Sequence, residues 1–455
     1  MHNDPDLMGK ESITKLLFRF SLPGTVGMVV AATYNVVDTI FIGRLGSEAI
    51  AALSIAFPIQ MILGAIGVGV GVGAASLISR SLGAGNDRDA EKAVGQVISL
   101  ALIFGALIAL ASKFYLRSLL VVFGASSDIL ELTLEYTSVI TAWSVVFFLI
   151  MSLNNVVRAE GSPLFSMKIM VGSSLLNIAL DPIFIFSLDM GIQGAAVATV
   201  LAKSTGAFIL LFHFISGRSN VLLHPKNMRL DFNIIKNISK IGFPSMVRLL
   251  SKNLSLTITN IILAGYGHIP IAAMGLFFRM QMLLIMPVIG FSQGMLPVIG
   301  YNYGAQKKER IRETVVKGFS ISTAFITLLA LIVYISPSTF LNFFTSDPEL
   351  IAMGSYSMRI MMLMLPLLGV QIVSTIFFQA IGKGVPSLFL SLLREVMLFI
   401  PLLLILSGSW GLLGVWAARP VSDLLAFIIT FAMIARELNK QDIPLKRLVP
   451  YREAV

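Results

Sequence analysis

Two carboxylates stand inside stretches that otherwise hold almost no charge: Asp38, in the apolar run 22–42, and Asp181, in the run 164–187. An uncompensated carboxylate in hydrocarbon costs roughly 2.5–3.5 kcal/mol even on the mildest insertion scale, so such residues are expected to face a protein interior or a wet cavity. Asn177 lies four residues before Asp181 and so on the same helical face. Pro182 has no N–H, which leaves the Ile178 carbonyl without its helical partner. One turn thus offers two side-chain oxygen sources and a spare carbonyl. Tyr34 and Asn35 add polar groups one turn before Asp38, and are candidates for lining a substrate cavity. Thr199 follows the small-residue run Gly194-Ala195-Ala196-Val197-Ala198, which lets a neighbouring helix come close. Oxygen-rich clusters of this kind suit Na⁺. The same carboxylates suit H⁺, because burial disfavours the charged form of a carboxyl group. The plainer reading makes Asp38 and Asp181 neutral helix glue, and Asn177 and Thr199 ordinary interhelical hydrogen-bonding groups.

The elements that must position these residues are helices in a membrane. The chain has 455 residues, 56% hydrophobic and only 13% charged, where soluble domains carry about 25% charge; its mean hydropathy is +0.87. That composition excludes an ordinary soluble enzyme and a disordered chain, and its spread along the sequence excludes a single membrane anchor. There is no cysteine, so disulfides, thiolate nucleophiles and cysteine-bound metals are excluded. His2, His213, His224 and His268 show no metal-ligand spacing. No resident cofactor is expected. Residues 1–15 are polar, with no apolar core of a cleaved signal peptide.

Twelve apolar segments are long enough to span: 22–42, 49–79, 94–116, 135–157, 164–187, 191–215, 241–266, 271–299, 315–335, 356–381, 386–407 and 411–434. Barrel strands would be about 10 residues long with alternating polarity. The expected fold is therefore all-α, with twelve transmembrane helices. An even number puts both ends on one side. Of the 34 lysines and arginines, 25 then fall on the side of the termini, Arg158 and Arg394 among them, and three (Arg44, Lys113, Arg117) on the other. This positive-inside pattern puts both termini in the cytoplasm. It also reads the net charge of +10 as membrane topology, so that no nucleic-acid partner is expected.

The longest polar stretch between spans, 216–240, divides the chain into lobes 1–215 and 241–435, with a cytoplasmic tail over 436–455. Sliding the sequence by 221 residues aligns Pro23 with Pro244, Gly46 with Gly267, Gln60 with Gln281, Gly69 with Gly290 and Gly83 with Gly304. Two six-helix halves of equal orientation predict a pseudo-twofold axis along the membrane normal, with a cavity on it and alternating access by rocking. The repeat breaks at the acids. Asp38 aligns with Thr259, and the Asp181 region with apolar residues around Phe399–Pro401. The ion site is thus expected in the first lobe alone. Glycines at 67, 69, 71 and 73 are no phosphate loop, since no Lys-Ser/Thr follows, and are read as allowing close packing or bending.

The string Tyr34-Asn35-Val36-Val37-Asp38-Thr39 with Gly43-Arg44-Leu45-Gly46 resembles the first helix of the MATE (multidrug and toxic compound extrusion) family. Leu176-Asn177-Ile178-Ala179-Leu180-Asp181-Pro182 resembles that family's fifth-helix motif, and Gly191, Gly194-Ala195-Ala196 and Thr199 its sixth helix. The resemblance covers nearly the whole chain and is strongest to prokaryotic DinF-like exporters. It implies a V-shaped pair of lobes and export of amphipathic, often cationic, compounds against entry of H⁺ or Na⁺. It implies an ion site of Asp38, Asn177, Asp181 and Thr199, and a cavity position for Asn154. The variant with acids in the seventh span is not expected, since that span has none.

A bilayer-embedded monomer in a prokaryotic cytoplasmic membrane, acting on small amphipathic molecules and not an enzyme, is the expectation. A flippase for a lipid-linked oligosaccharide is the alternative, and a membrane receptor or enzyme the alternative of another class. Arg248, Lys252, Arg279 and Arg359 in the second lobe would favour the flippase if they lined the cavity; otherwise they are expected to snorkel or to pair with acids such as Glu395. Arg419 and Asp423, four apart, are expected to pair along their own helix.

Overall fold

The computed structural model describes residues 6–443; His2 and the tail beyond 443, with Lys446, Arg447 and Arg452, lie outside the described residues. Those residues form helices and connecting turns, with no strand among them. The twelve expected crossings are accounted for. Eight helical stretches are long and apolar enough to cross by themselves: Ile13–Gly43, Ser47–Gly83, Asp87–Val122, Pro163–Ser187, Gly191–Ile215, His268–Gly304, Lys308–Ile335 and Gly384–Lys440. Two more are bent pairs, Ser127–Ala142 with Ser144–Ala159 at 55° and Pro348–Met361 with Leu365–Ala380 at 48°. The 57 residues of Gly384–Lys440 are two crossings, turned about Gly411, whose φ of 57° only glycine adopts cheaply. The remaining crossing is the seventh, Phe232–Ala264, which carries Lys236, Lys240, Arg248 and Lys252.

Several helices extend well past their apolar runs. The first begins at Ile13 rather than 22, because Ile13, Leu16, Leu17 and Phe20 are buried against protein. Hydropathy locates the stretch that can face lipid, whereas tertiary packing sets the ends. The bend in the tenth crossing follows from Pro366, which interrupts the helical bonding ladder. No proline explains the bend at Trp143; there Ser144 Oγ donates to the Gly105 carbonyl at 2.8 Å.

The seventh helix starts inside the expected linker. Asp231 caps it, accepting from the Asn233 and Ile234 N–H groups, and pairs with Lys92 at 2.8 Å, which holds its carboxyl below the usual range. Gln96 Nε2 donates to the Asn227 and Arg229 carbonyls, and Ser99 Oγ to that of Met228, so the connecting segment is stapled to the third helix. Farther back, the buried Glu160 carboxylate accepts from His213 at 2.7 Å and from Ser219.

The lobes meet along a seam that repeats the 221-residue offset. A Cβ on Gly73 would lie 2.1 Å from the Ile238 carbonyl; its counterpart Gly294 would press on Phe20 and Ser21 at 2.6 Å. Gly69 meets Gly242 and Met246, as Gly290 meets Gly24 and Thr25. A Cβ on Gly83 would clash with the Tyr301 carbonyl, and one on Gly304 with that of Arg80. The intervening Gly67 and Gly71 face the other way, onto Met151, Ser152 and Asn155 of the fourth crossing. The alternate glycines of the second helix therefore let it pack within backbone distance of both lobes at once. Ser21 and Thr25 donate across the seam to the Phe291 and Pro287 carbonyls. Ser76 donates to that of Gln379. The short helix Leu7–Lys10 adds a strap, with Asn302, Lys307 and Arg310 donating to the Met8, Gly9 and Glu11 carbonyls. The seam runs from the end of the molecule that carries the N-terminus and the connecting segment to Thr25 and Pro287, the latter midway along the helix His268–Gly304.

Candidate functional site

The fifth helix, Pro163–Pro182, passes directly into a π-helical turn, Ile183–Ser187. The missing N–H of Pro182 loosens the ladder where Asp181 sits, and the wide turn takes up the slack. The sixth helix can press against this turn because Gly194 has no side chain: a Cβ there would be 2.5 Å from the Phe184 carbonyl. That approach brings Thr199 to Asn177. Asn177 Nδ2 donates to Asp181 Oδ1 at 2.9 Å and to Thr199 Oγ1 at 3.4 Å. Asp38, from the first helix, lies within electrostatic range of Asp181. All four side chains are buried, Asp181 completely.

The bonding among them is incomplete. Asp38 Oδ1, Asp181 Oδ2 and Asn177 Oδ1 are shielded from solvent and have no hydrogen-bond partner. Three buried acceptors without a donor are costly to leave bare, since a lost polar partner costs about 1–3 kcal/mol and more for a charged group. A proton or a small cation would satisfy them. Among the described residues no group of three or more His, Asp or Glu side chains gathers as a metal site.

Beside this cluster lies a cavity of about 280 Å³. Tyr34, Asn35, Asn154, Asn177 and Thr199 line it, as do Met28, Met151 and Met170, while Gln293 reaches it from the second lobe. Five of the seven residues singled out in the sequence thus share one wall, and Asp38 and Asp181 lie behind it rather than on it. Asn154 is held by the Ser166 hydroxyl, which donates to its Oδ1 at 2.9 Å, and Asn35 donates back to its own helix at Ala31.

Two further residues of the wall escaped the sequence reading. Lys203 stands in the middle of the sixth helix, its Nζ 3.3 Å from Tyr34 Oη and over the rings of Tyr34 and Phe147. Arg158, which the topology count had assigned to a cytoplasmic loop, is only 6% exposed and donates to Asn155 Oδ1 at 2.7 Å. The signal was present: Lys203 follows Thr199, and Arg158 follows Asn154, by one helical turn.

In the second lobe the expected symmetry break is visible. Thr259, at the position of Asp38, donates to the Ser255 carbonyl of its own helix. Arg248 does not snorkel: it lines a smaller cavity that shares Val68, Asn155, Arg158 and Gln293 with the first. Lys252 lies within electrostatic range of Glu395 but is exposed, as Arg279 and Arg359 are. The expected pair of Arg419 and Asp423 is a long one, at 3.8 Å. Arg419 instead forks onto both oxygens of Glu395, at 2.9 and 3.0 Å, and Asp423 accepts from Arg394 Nε at 2.7 Å. Arg394, expected among the bases on the side of the termini, belongs instead to a packed ion cluster. A π-helical stretch, Leu393–Phe399, carries both Arg394 and Glu395 inward together.

The sequence model of the MatE family matches residues 23–183 and 244–405, one block in each lobe. The multidrug export protein MepA of Staphylococcus saprophyticus is 28% identical over 429 residues, covering 93% of this chain and 95% of its own. A solved structure described as the outward-facing conformation of a multidrug resistance MATE family transporter of the MOP superfamily superposes with a TM-score of 0.91 at 26% identity, over 97% of this chain and 99% of that one. A second, a MOP superfamily transporter from Pyrococcus furiosus described as having a binding pocket of reverse polarity that suggests a different function, gives a TM-score of 0.90 at 26% identity over 97% and 99%.

Proposed function

The chain belongs to the MATE family of multidrug export transporters, and from that premise we propose that it is an antiporter, exporting amphipathic small molecules as H⁺ or Na⁺ enters. As a family member it is a transporter and not an enzyme. The observation that carries the antiport reading is the set of bare buried oxygens on Asp38, Asp181 and Asn177, one wall away from the cavity that Asn177 and Thr199 also line. An ion taken up by the carboxylates pulls Asn177 and Thr199 into a new bonding pattern, and these are cavity-lining groups. Ion and cargo then favour different arrangements of one wall, which is the condition for coupling.

With both termini in the cytoplasm, the closed seam lies on the cytoplasmic side and the cavity faces outward. Cargo leaves in this state as an ion arrives. Rocking the lobes about the seam opens the other face, the ion departs inward and new cargo binds. Moving one charge through 100 mV is worth about 2.3 kcal/mol, and one pH unit about 1.36 kcal/mol. Two carboxylates permit two entering charges, so export of a singly charged cargo can draw on the voltage as well as the gradient. The protein acts as a monomer in the cytoplasmic membrane of a prokaryotic cell.

The test is ion replacement. Proteoliposomes loaded with an amphipathic dye are given a pH gradient alone, or a Na⁺ gradient alone. Dye movement driven by one of them identifies the ion. Movement driven by neither would refute the antiport reading.

A further inference from the structure

The cavity wall carries an excess of fixed positive charge. Lys203 and Arg158 line the main cavity and Arg248 its smaller extension, while no aspartate or glutamate lines either. The hydrogen bonds of Lys203 and Arg158 go to neutral groups, the Tyr34 hydroxyl and the Asn155 amide oxygen. No salt bridge joins any of the three to a carboxylate among the described residues. Lys203 senses Asp38, but across a gap too long for an ion pair. The rings of Tyr34 and Phe147 compensate part of its charge. Arg158 has no such ring and is almost entirely buried. A buried guanidinium bonded only to an amide keeps donors that suit a carboxylate, sulfonate or phosphate, which it can grip with two parallel bonds.

We propose that the exported molecule carries an acidic group, held by Lys203 and Arg158 in the first-lobe cavity. This rests on the transport reading and narrows its substrate class. Amphipathic cations, the cargo that the family resemblance implied, meet three like charges here. A zwitterion fits this wall: its acidic end against Lys203 and Arg158, its basic end against Asn177 and Thr199, the groups that the entering ion would rearrange. The Met-lined remainder of the wall, Met28, Met151 and Met170, accepts an apolar body of varied shape.

The experiment compares a rhodamine with a free carboxylate and its ethyl ester, two dyes of one skeleton that differ in the acidic group. Purified protein in liposomes is driven by the ion gradient that the replacement experiment identifies. The free acid is expected to move about tenfold faster than the ester. Lys203→Gln should erase that preference and Lys203→Arg restore it; Arg158→Lys, which keeps the charge in a smaller group, should keep it in part. A parallel arm follows NBD-phosphatidylglycerol flipping. Flipping that Lys203→Gln stops supports the acidic group on a lipid head; acid-selective dye movement without flipping supports it on a free solute. Ester moved as fast as acid, or a preference untouched by Lys203→Gln, overturns the proposal while leaving the antiport reading standing. Failure of both dyes and the lipid under every gradient overturns the two together.

Discussion

In the second lobe Glu395 and Asp423 are buried and held: Arg419 forks onto one, Arg394 grips the other, and Ser255 and Gln371 bond the carbonyls of the same two residues. In the first lobe Asp38 and Asp181 are buried and left partly bare, with one amide, that of Asn177, shared between Asp181 and Thr199. Both lobes come from one repeat, and both carry a π-helical stretch beside the acids. The difference is what surrounds the carboxylates. A carboxylate in a closed ion network has no use for a further cation, because its charge is already balanced: even Asp423 Oδ2, which has no hydrogen-bond donor, stands 3.8 Å from Arg419 Nε. A carboxylate with an empty lone pair beside a cavity can take one up and give it back. The first arrangement suits a lobe that moves as a rigid body, and the second suits a binding site.

Substitutions that exchange these properties should have opposite signatures. The largest effect on function is expected from Asp38→Asn and Asp181→Asn. Ion-driven dye movement should fall to the level of protein-free liposomes, while the unfolding temperature in detergent stays level or rises, since a neutral amide is easier to bury than a bare carboxylate. Glu395→Gln should do the reverse of this on stability. It leaves Arg419 with only the long contact to Asp423 at 3.8 Å, and up to about 3–5 kcal/mol of stability should be lost, read as a drop in unfolding temperature. If Asp38→Asn unfolded the protein and Glu395→Gln did not, the contrast between the lobes would be wrong.

The seam gives an intermediate effect. Gly73→Ala puts a methyl group against the Ile238 carbonyl. Overpacking of this kind costs about 1–3 kcal/mol, which lies within the range that shifts a two-state equilibrium by about 5- to 150-fold. The closed end should open. Because the chain has no cysteine, a single Ser79→Cys reports this cleanly. Ser79 is fully buried in the closed seam, so the thiol should react slowly with a water-soluble maleimide, and faster once Gly73→Ala is added. An unchanged labelling rate would mean that the glycine contacts do not hold the lobes together. The smallest effect is expected from Thr199→Val, which removes one long hydrogen bond at 3.4 Å. It should weaken ion binding by no more than about tenfold, seen as a shift in the ion concentration giving half-maximal transport.

The sequence carried the twelve crossings and the first-lobe cluster for the same reason. An apolar run of bilayer length and an acid within it each conflict with water or with lipid, and each conflict has few resolutions. The seam glycines were legible as close-packing positions, but their partners, Ile238, Gly242 and Met246, were not, because an offset between repeats does not say which helices touch. Helix ends were misjudged wherever packing rather than hydropathy sets them, as at Ile13 and Phe232. Arg158, Arg394 and Lys203 were misread or overlooked because a base near the end of an apolar run looks the same whether it reaches water or folds inward. Only the neighbours decide: Asn155 for Arg158, Asp423 for Arg394, Tyr34 for Lys203.

Release of cargo by an ion arriving at the first-lobe acids is the step on which antiport depends. Equilibrium binding of a fluorescent cargo to the purified protein, titrated with the coupling ion at fixed cargo concentration, measures it directly. Bound cargo should be released as the ion is added to the native protein. In the double variant Asp38→Asn, Asp181→Asn, cargo binding should no longer respond to the ion. Release that persists undiminished in the double variant would contradict the account, as would native binding indifferent to the ion.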